Sequence, residues 1–88
     1  MNFNIDELKK KIIYRSNYRG TKEMDSLLSS FTKKIIDDLN YEELFSLLNF
    51  LKIDDENLYK FYQGISDNIS VPLNKVSRLF KKFKYKKE

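Results

Sequence analysis

Thr21-Lys22-Glu23-Met24-Asp25-Ser26-Leu27-Leu28-Ser29-Ser30-Phe31-Thr32-Lys33-Lys34-Ile35 decides the fold class. Met24, Leu27, Leu28, Phe31 and Ile35 stand at i, i+3, i+4, i+7 and i+11. An α-helix gathers those positions into one apolar stripe, whereas a strand would scatter them over both faces. The segment opens at Thr21, and Glu23 and Asp25 lie in its first turn, where carboxylates complement the helix macrodipole.

The same grammar extends in both directions. Towards the N-terminus, Asn4 caps a helix with Glu7 three residues on, and Ile5, Leu8 and Ile12 recur on one face. Gly20 ends that segment, free to take the positive φ that closes a helix. Towards the C-terminus, Asn40 and Glu43 form a capping-box pattern ahead of Leu44, Leu47, Leu48 and Leu51. A fourth segment starts at Asp54 or Asp55, buries Leu58, Phe61 and Tyr62, and stops at Gly64. A polar turn at Ser66-Asp67-Asn68 leads to a fifth, with Pro72 near its first turn and Leu73, Val76, Phe80 and Phe83 on its apolar side. Nowhere does the strict alternation of a half-buried strand occur. The expectation is an all-α protein, a compact bundle of five short helices, with residues 1–83 as one helical domain and 84–88 as a basic, disordered tail. Each helix is too short to be stable alone, so packing of the five stripes must hold them.

Composition narrows the chemistry. The 88 residues contain no Cys and no His, which removes disulfides, thiolate zinc sites, Cys nucleophiles and every Ser-His or Cys-His arrangement. No apolar run approaches the roughly 20 residues of a membrane span, and the N-terminus lacks the features of a signal or transit peptide. The expected location is the bacterial cytoplasm, with no stable membrane anchoring. The net charge of +4 is unevenly spread: residues 1–70 are net −2 and residues 71–88 net +6. Lys, Ile and Asn make up 30 residues, the usage of an AT-rich genome, so part of the basicity says nothing about partners.

The stretch Tyr14-Arg15-Ser16-Asn17-Tyr18-Arg19-Gly20-Thr21-Lys22-Glu23-Met24-Asp25 spans a helix end, a Gly turn and a helix start. Arg15 and Arg19, four apart, put forked guanidinium groups on one face beside carboxylates of the next helix. By its residues alone such a patch is an internal salt-bridge network, a solvated surface or a docking site. Tyr14 and Tyr18 flank it, and Tyr and Arg are favoured interface anchors. Phe31, Phe45, Phe50, Phe61, Phe80 and Phe83 fall on or beside the apolar stripes and read as core.

The run Arg19-Gly20-x-x-Glu23-x-Asp25, preceded by Tyr14-Arg15-Ser16 and followed by Leu27, Leu28 and Phe31, resembles the signature of the succinate dehydrogenase assembly factor family, the SdhE proteins or flavinators. Asp54-Asp55-Glu56-Asn57-Leu58 followed by Phe61 resembles that family's second, acidic patch. The resemblance covers roughly residues 12 to 63 and departs from the family at Thr21 (usually Met), Tyr18 (commonly basic), Glu56 (often Pro) and Phe61 (often Trp). It implies a small helical chaperone that binds the apo flavoprotein subunit of succinate dehydrogenase, and in some bacteria of fumarate reductase. Such a chaperone promotes covalent attachment of FAD to a histidine of that subunit. On this reading the chain is monomeric alone, is not an enzyme and binds no cofactor stably, FAD being attached to the partner. The partner-binding residues are Arg15, Tyr18, Arg19, Gly20, Glu23 and Asp25: the two arginines pair with flavoprotein carboxylates, Gly20 permits close approach and Glu23 engages a donor. Asp25 either joins that face or braces the Arg19 turn internally.

Two other classes compete. The Arg15/Arg19 patch and the Lys75 to Lys87 segment could make a small basic nucleic-acid-binding helical protein, but the body is net acidic and no recognition module is visible. An enzyme using Glu23 and Asp25 as an acid/base pair is disfavoured because residues two apart on a helix point about 200° apart.

Overall fold

The helices are short, and what ends each of them sets the shape of the molecule. A computed structural model describes residues 4–64 and 71–84; the turn expected at 66–68 and residues 85–88 of the expected tail lie outside the described residues. The order is α1 (Ile5–Ser16), α2 (Lys22–Ile35), a 3-10 turn (Ile36–Asp38), α3 (Tyr41–Phe50), α4 (Asp55–Gln63) and α5 (Lys75–Lys82). Five α-helices and no strand among the described residues make this an all-α bundle. Helix α1 packs against α2 and α3, and α5 against α3 and α4.

Each start is held by a side-chain cap. Asn4, Thr21, Asn40, Asp54 and Asn74 each accept from a backbone N–H of the first turn, satisfying donors that have no intrahelical partner. The box expected at Asn40 and Glu43 is complete, the Asn40 N–H donating back to Glu43 at 2.9 Å. At the far end of α4, Gly64 takes the left-handed conformation at φ 69°.

The stripe of α2 is buried along its whole length, from Met24 to Ile35. Phe31 sits at the centre of an aromatic cluster, 5.0 Å from Phe80 and 6.2 Å from Phe50 between ring centroids, which joins α2, α3 and α5. Tyr62 of α4 stacks on Phe80 at 5.0 Å and donates its hydroxyl hydrogen to the Phe83 carbonyl at 2.6 Å. Each fully buried side chain of this size contributes on the order of 1.5–3 kcal/mol.

Four expectations are corrected. Ile5, in the first turn of α1, is 45% exposed, and Leu73, 63% exposed, lies ahead of the Asn74 cap, outside α5 and so off its apolar face. Phe45, Phe83 and Tyr62, the last expected to be buried, pack only partly against the core. Pro72 precedes α5, whose first turn begins instead behind the Asn74 cap. Finally, α1 stops at Ser16, four residues before Gly20. The Ser16 hydroxyl donates to the Ile13 carbonyl at 2.7 Å and the Asn17 amide to the same oxygen at 2.9 Å, so side chains replace the next helical N–H donors.

Candidate functional site

The link between α1 and α2 turns on an unexpected residue. Tyr18, not Gly20, occupies the left-handed region, at φ 59°. A non-glycine residue there costs about 1 kcal/mol, and the loop is braced to hold it: the Tyr18 N–H donates to Asp25 Oδ1 at 3.1 Å. Of the two roles open to Asp25, the geometry provides the internal one.

Arg19 is the hub of the site. Its Nε donates to Asp55 Oδ1 at 2.8 Å, and its terminal nitrogen approaches the same oxygen to 2.7 Å. The guanidinium also donates to the carbonyls of Leu51 at 2.7 Å, Ile53 at 3.0 Å and Arg15 at 3.0 Å. Arg15 lies in the last turn of α1 and Leu51 just past the end of α3, so one cation serves carbonyls at two helix C-termini, where positive charge complements the dipole. The planar fork of arginine can reach this many acceptors at once, which a lysine cannot. With its side chain only 11% exposed, Arg19 has internal partners where flavoprotein carboxylates were expected, whereas Arg15 is exposed.

The same carboxylate explains Gly20. Asp55 Oδ2 accepts the Gly20 N–H at 2.8 Å, and a Cβ on residue 20 would stand 3.2 Å from that oxygen. Glycine is therefore favoured here by the close approach of Asp55 and not by a positive φ. Asp55 thus latches the α1–α2 loop onto the α3–α4 turn across 36 positions of sequence.

Around this latch lies an open groove of about 700 Å³. Arg15, Tyr18, Arg19 and Gly20 line it, as expected of a common surface, together with Tyr14, Lys11, Lys52 and the Leu51 to Asp55 turn. Tyr14 is 67% exposed and Tyr18 80%, their rings 5.4 Å apart. Glu23 is exposed on the first turn of α2 and, like Asp25, is not among the groove's lining residues. Sequence reasoning missed Asp55 as the partner of Arg19, although the acidic run containing it had stood out, and it missed Lys52 altogether. Among the described residues no group of three or more acidic side chains could hold a metal ion, and no helix is long and apolar enough to cross a membrane.

A FAD assembly factor, SdhE, from Wigglesworthia glossinidia brevipalpis is 39% identical over 51 residues, which are 58% of this chain and 61% of that protein. The chain therefore spans about three fifths of the length of the curated relative it matches. No solved structure matches it. The family model described as the flavinator of succinate dehydrogenase matches residues 10–84, which take in the Arg19–Gly20 turn, its Asp55 latch and all of α5. With that much of the sequence matched, the chain belongs to the flavinator of succinate dehydrogenase family.

Proposed function

We propose that this chain binds the apo flavoprotein subunit of succinate dehydrogenase and promotes covalent attachment of FAD to it, with fumarate reductase as a second client of the same kind. The observation that carries the reading is the latch: Arg19, Asp55 and Gly20 satisfy one another and leave Arg15, Tyr14 and Tyr18 projecting around a single groove. Interiors use such groups for packing; here two large aromatics and a cation are held at the surface by a rigid base, the composition of a protein-binding hot spot.

The contribution to the reaction is positioning. A partner that favours one arrangement of the flavoprotein raises the population in which the flavin and the subunit's own histidine stand in near-attack geometry. The histidine and the FAD belong to the flavoprotein; this chain acts as a monomeric, cytoplasmic chaperone and not as an enzyme.

Co-expression with the cognate apo subunit, followed by in-gel flavin fluorescence after denaturation, tests this. Wild type should raise covalent flavin, and Tyr18→Ala and Glu23→Ala should return it towards background while remaining folded by circular dichroism. A wild-type chain that neither binds the subunit nor changes flavinylation would overturn the reading.

A further inference from the structure

Lys52 sits in the turn between α3 and α4, 37 positions from Arg15, and the Asp55 latch brings both to one groove. Neither side chain has an ion-pair or hydrogen-bond partner among the described residues. Both are exposed. The groove's own carboxylates are differently disposed. Asp54 accepts from the Asn57 backbone and side chain through its two oxygens, both at 2.9 Å, and Asp55 is engaged by Arg19 and Gly20. Four cations, Lys11, Arg15, Arg19 and Lys52, thus face two carboxylates that are already hydrogen-bonded. Between them lie the half-buried Ile53 and the exposed Tyr14–Tyr18 pair.

We infer that Arg15 and Lys52 form a two-pronged cation rim that receives an acidic segment of the flavoprotein, one carrying an apolar or aromatic side chain that enters the groove between the prongs. The inference rests on the function proposed above and adds to it the chemistry of the contacting segment and a residue, Lys52, from outside the Arg-Gly motif. A protein segment fits better than nucleic acid for two reasons. Nucleic-acid affinity is built from many phosphate contacts, whereas only two unpaired cations stand here beside two fixed carboxylates. The half-buried Ile53 and the paired tyrosines match a side chain, and complementary charge at the rim sets register and on-rate.

The test measures binding of the full chain to the cognate apo flavoprotein subunit by biolayer interferometry at low and moderate salt. Arg15→Glu, Lys52→Glu and the milder Lys52→Gln are compared with Lys33→Glu, which makes the same charge change at an exposed site roughly 18 Å along α2 from the loop. Wild type should bind, Arg15→Glu and Lys52→Glu should each weaken binding by about tenfold, chiefly at low salt, with Lys52→Gln between, while Lys33→Glu stays within about twofold of wild type. Melting curves establish that the variants are folded. If wild type binds and the Lys52 variants match Lys33→Glu, the rim is refuted while the proposed function stands. If wild type does not bind the subunit, both fall. Tight binding of a single-stranded DNA 20-mer that is lost in Lys52→Glu would assign the rim to phosphates and overturn the inference.

Discussion

Arg19 and Asp55 form a side-chain pair closed at 2.7 and 2.8 Å, and Asp55's second oxygen accepts the N–H of the very next residue, Gly20. One carboxylate therefore holds a guanidinium and a backbone turn at once. Removing it leaves a nearly buried arginine charge without its counter-ion. Asp55→Ala should cost about 2–3 kcal/mol, at or below the range for fully buried pairs because the carboxylate keeps some solvent. By contrast, Asp37→Ala, which breaks the exposed pair with Lys9 at 3.0 Å, should cost under about 0.5 kcal/mol. Urea denaturation of both variants checks the ordering.

Gly20→Ala should destabilise by about 1 kcal/mol through crowding of the Asp55 carboxylate, since the added Cβ would stand 3.2 Å from Oδ2. If that contact is the cause, the penalty should largely vanish in an Asp55→Ala background. A double-mutant cycle by equilibrium unfolding measures the coupling directly; additive effects would place the cause elsewhere.

Tyr18→Gly should separate stability from docking. Its backbone at φ 59° is one that glycine adopts freely, so the variant should gain about 1 kcal/mol while losing a ring that is 80% exposed beside Tyr14. Binding to the apo flavoprotein should fall by about fivefold or more, as for an aromatic anchor. A melting curve and a binding isotherm on the same preparation are enough.

Glu43 gives the pH response a definite sign. The backbone N–H of Asn40, and after it the Lys75 ammonium at 3.1 Å, hold its carboxyl below the ordinary glutamate value. A group with a depressed native pKa stabilises the fold above its unfolded pKa and loses that contribution as pH falls through the folded value. Wild type should therefore exceed Glu43→Gln in urea midpoint at neutral pH. The gap should narrow as the pH drops through and below the ordinary glutamate range.

Thr32 is fully buried on α2, and its hydroxyl oxygen has no partner among the described residues. Thr32→Val replaces that hydroxyl with a methyl of similar shape. It should be neutral or stabilising by up to about 1 kcal/mol, since no hydrogen bond is lost and a desolvated polar group is removed. Thermal melts would show this as an unchanged or raised midpoint.

The α2 stripe, the caps at Asn4, Thr21, Asn40 and Asp54, and the Gly64 stop could all be read from sequence, because each depends on residues within about four positions of one another. The Arg15 to Gly20 stretch stood out for the same reason, its motif being contiguous, and the fold gathers Arg15, Tyr18, Arg19 and Gly20 around one groove. Local pattern also identifies which face of a helix is apolar, but not how far the neighbouring helix extends to cover it. Ile5, in the first turn of α1, therefore had to be seen in the fold to be known as exposed. The tertiary structure alone decided that Tyr18 and not Gly20 bears the left-handed backbone, that Arg19 turns inward to Asp55, and that Lys52 shares a groove with Arg15. Those relations join residues up to 37 positions apart, where geometry is set by how α1, α3 and α4 pack and no periodicity along the chain records it.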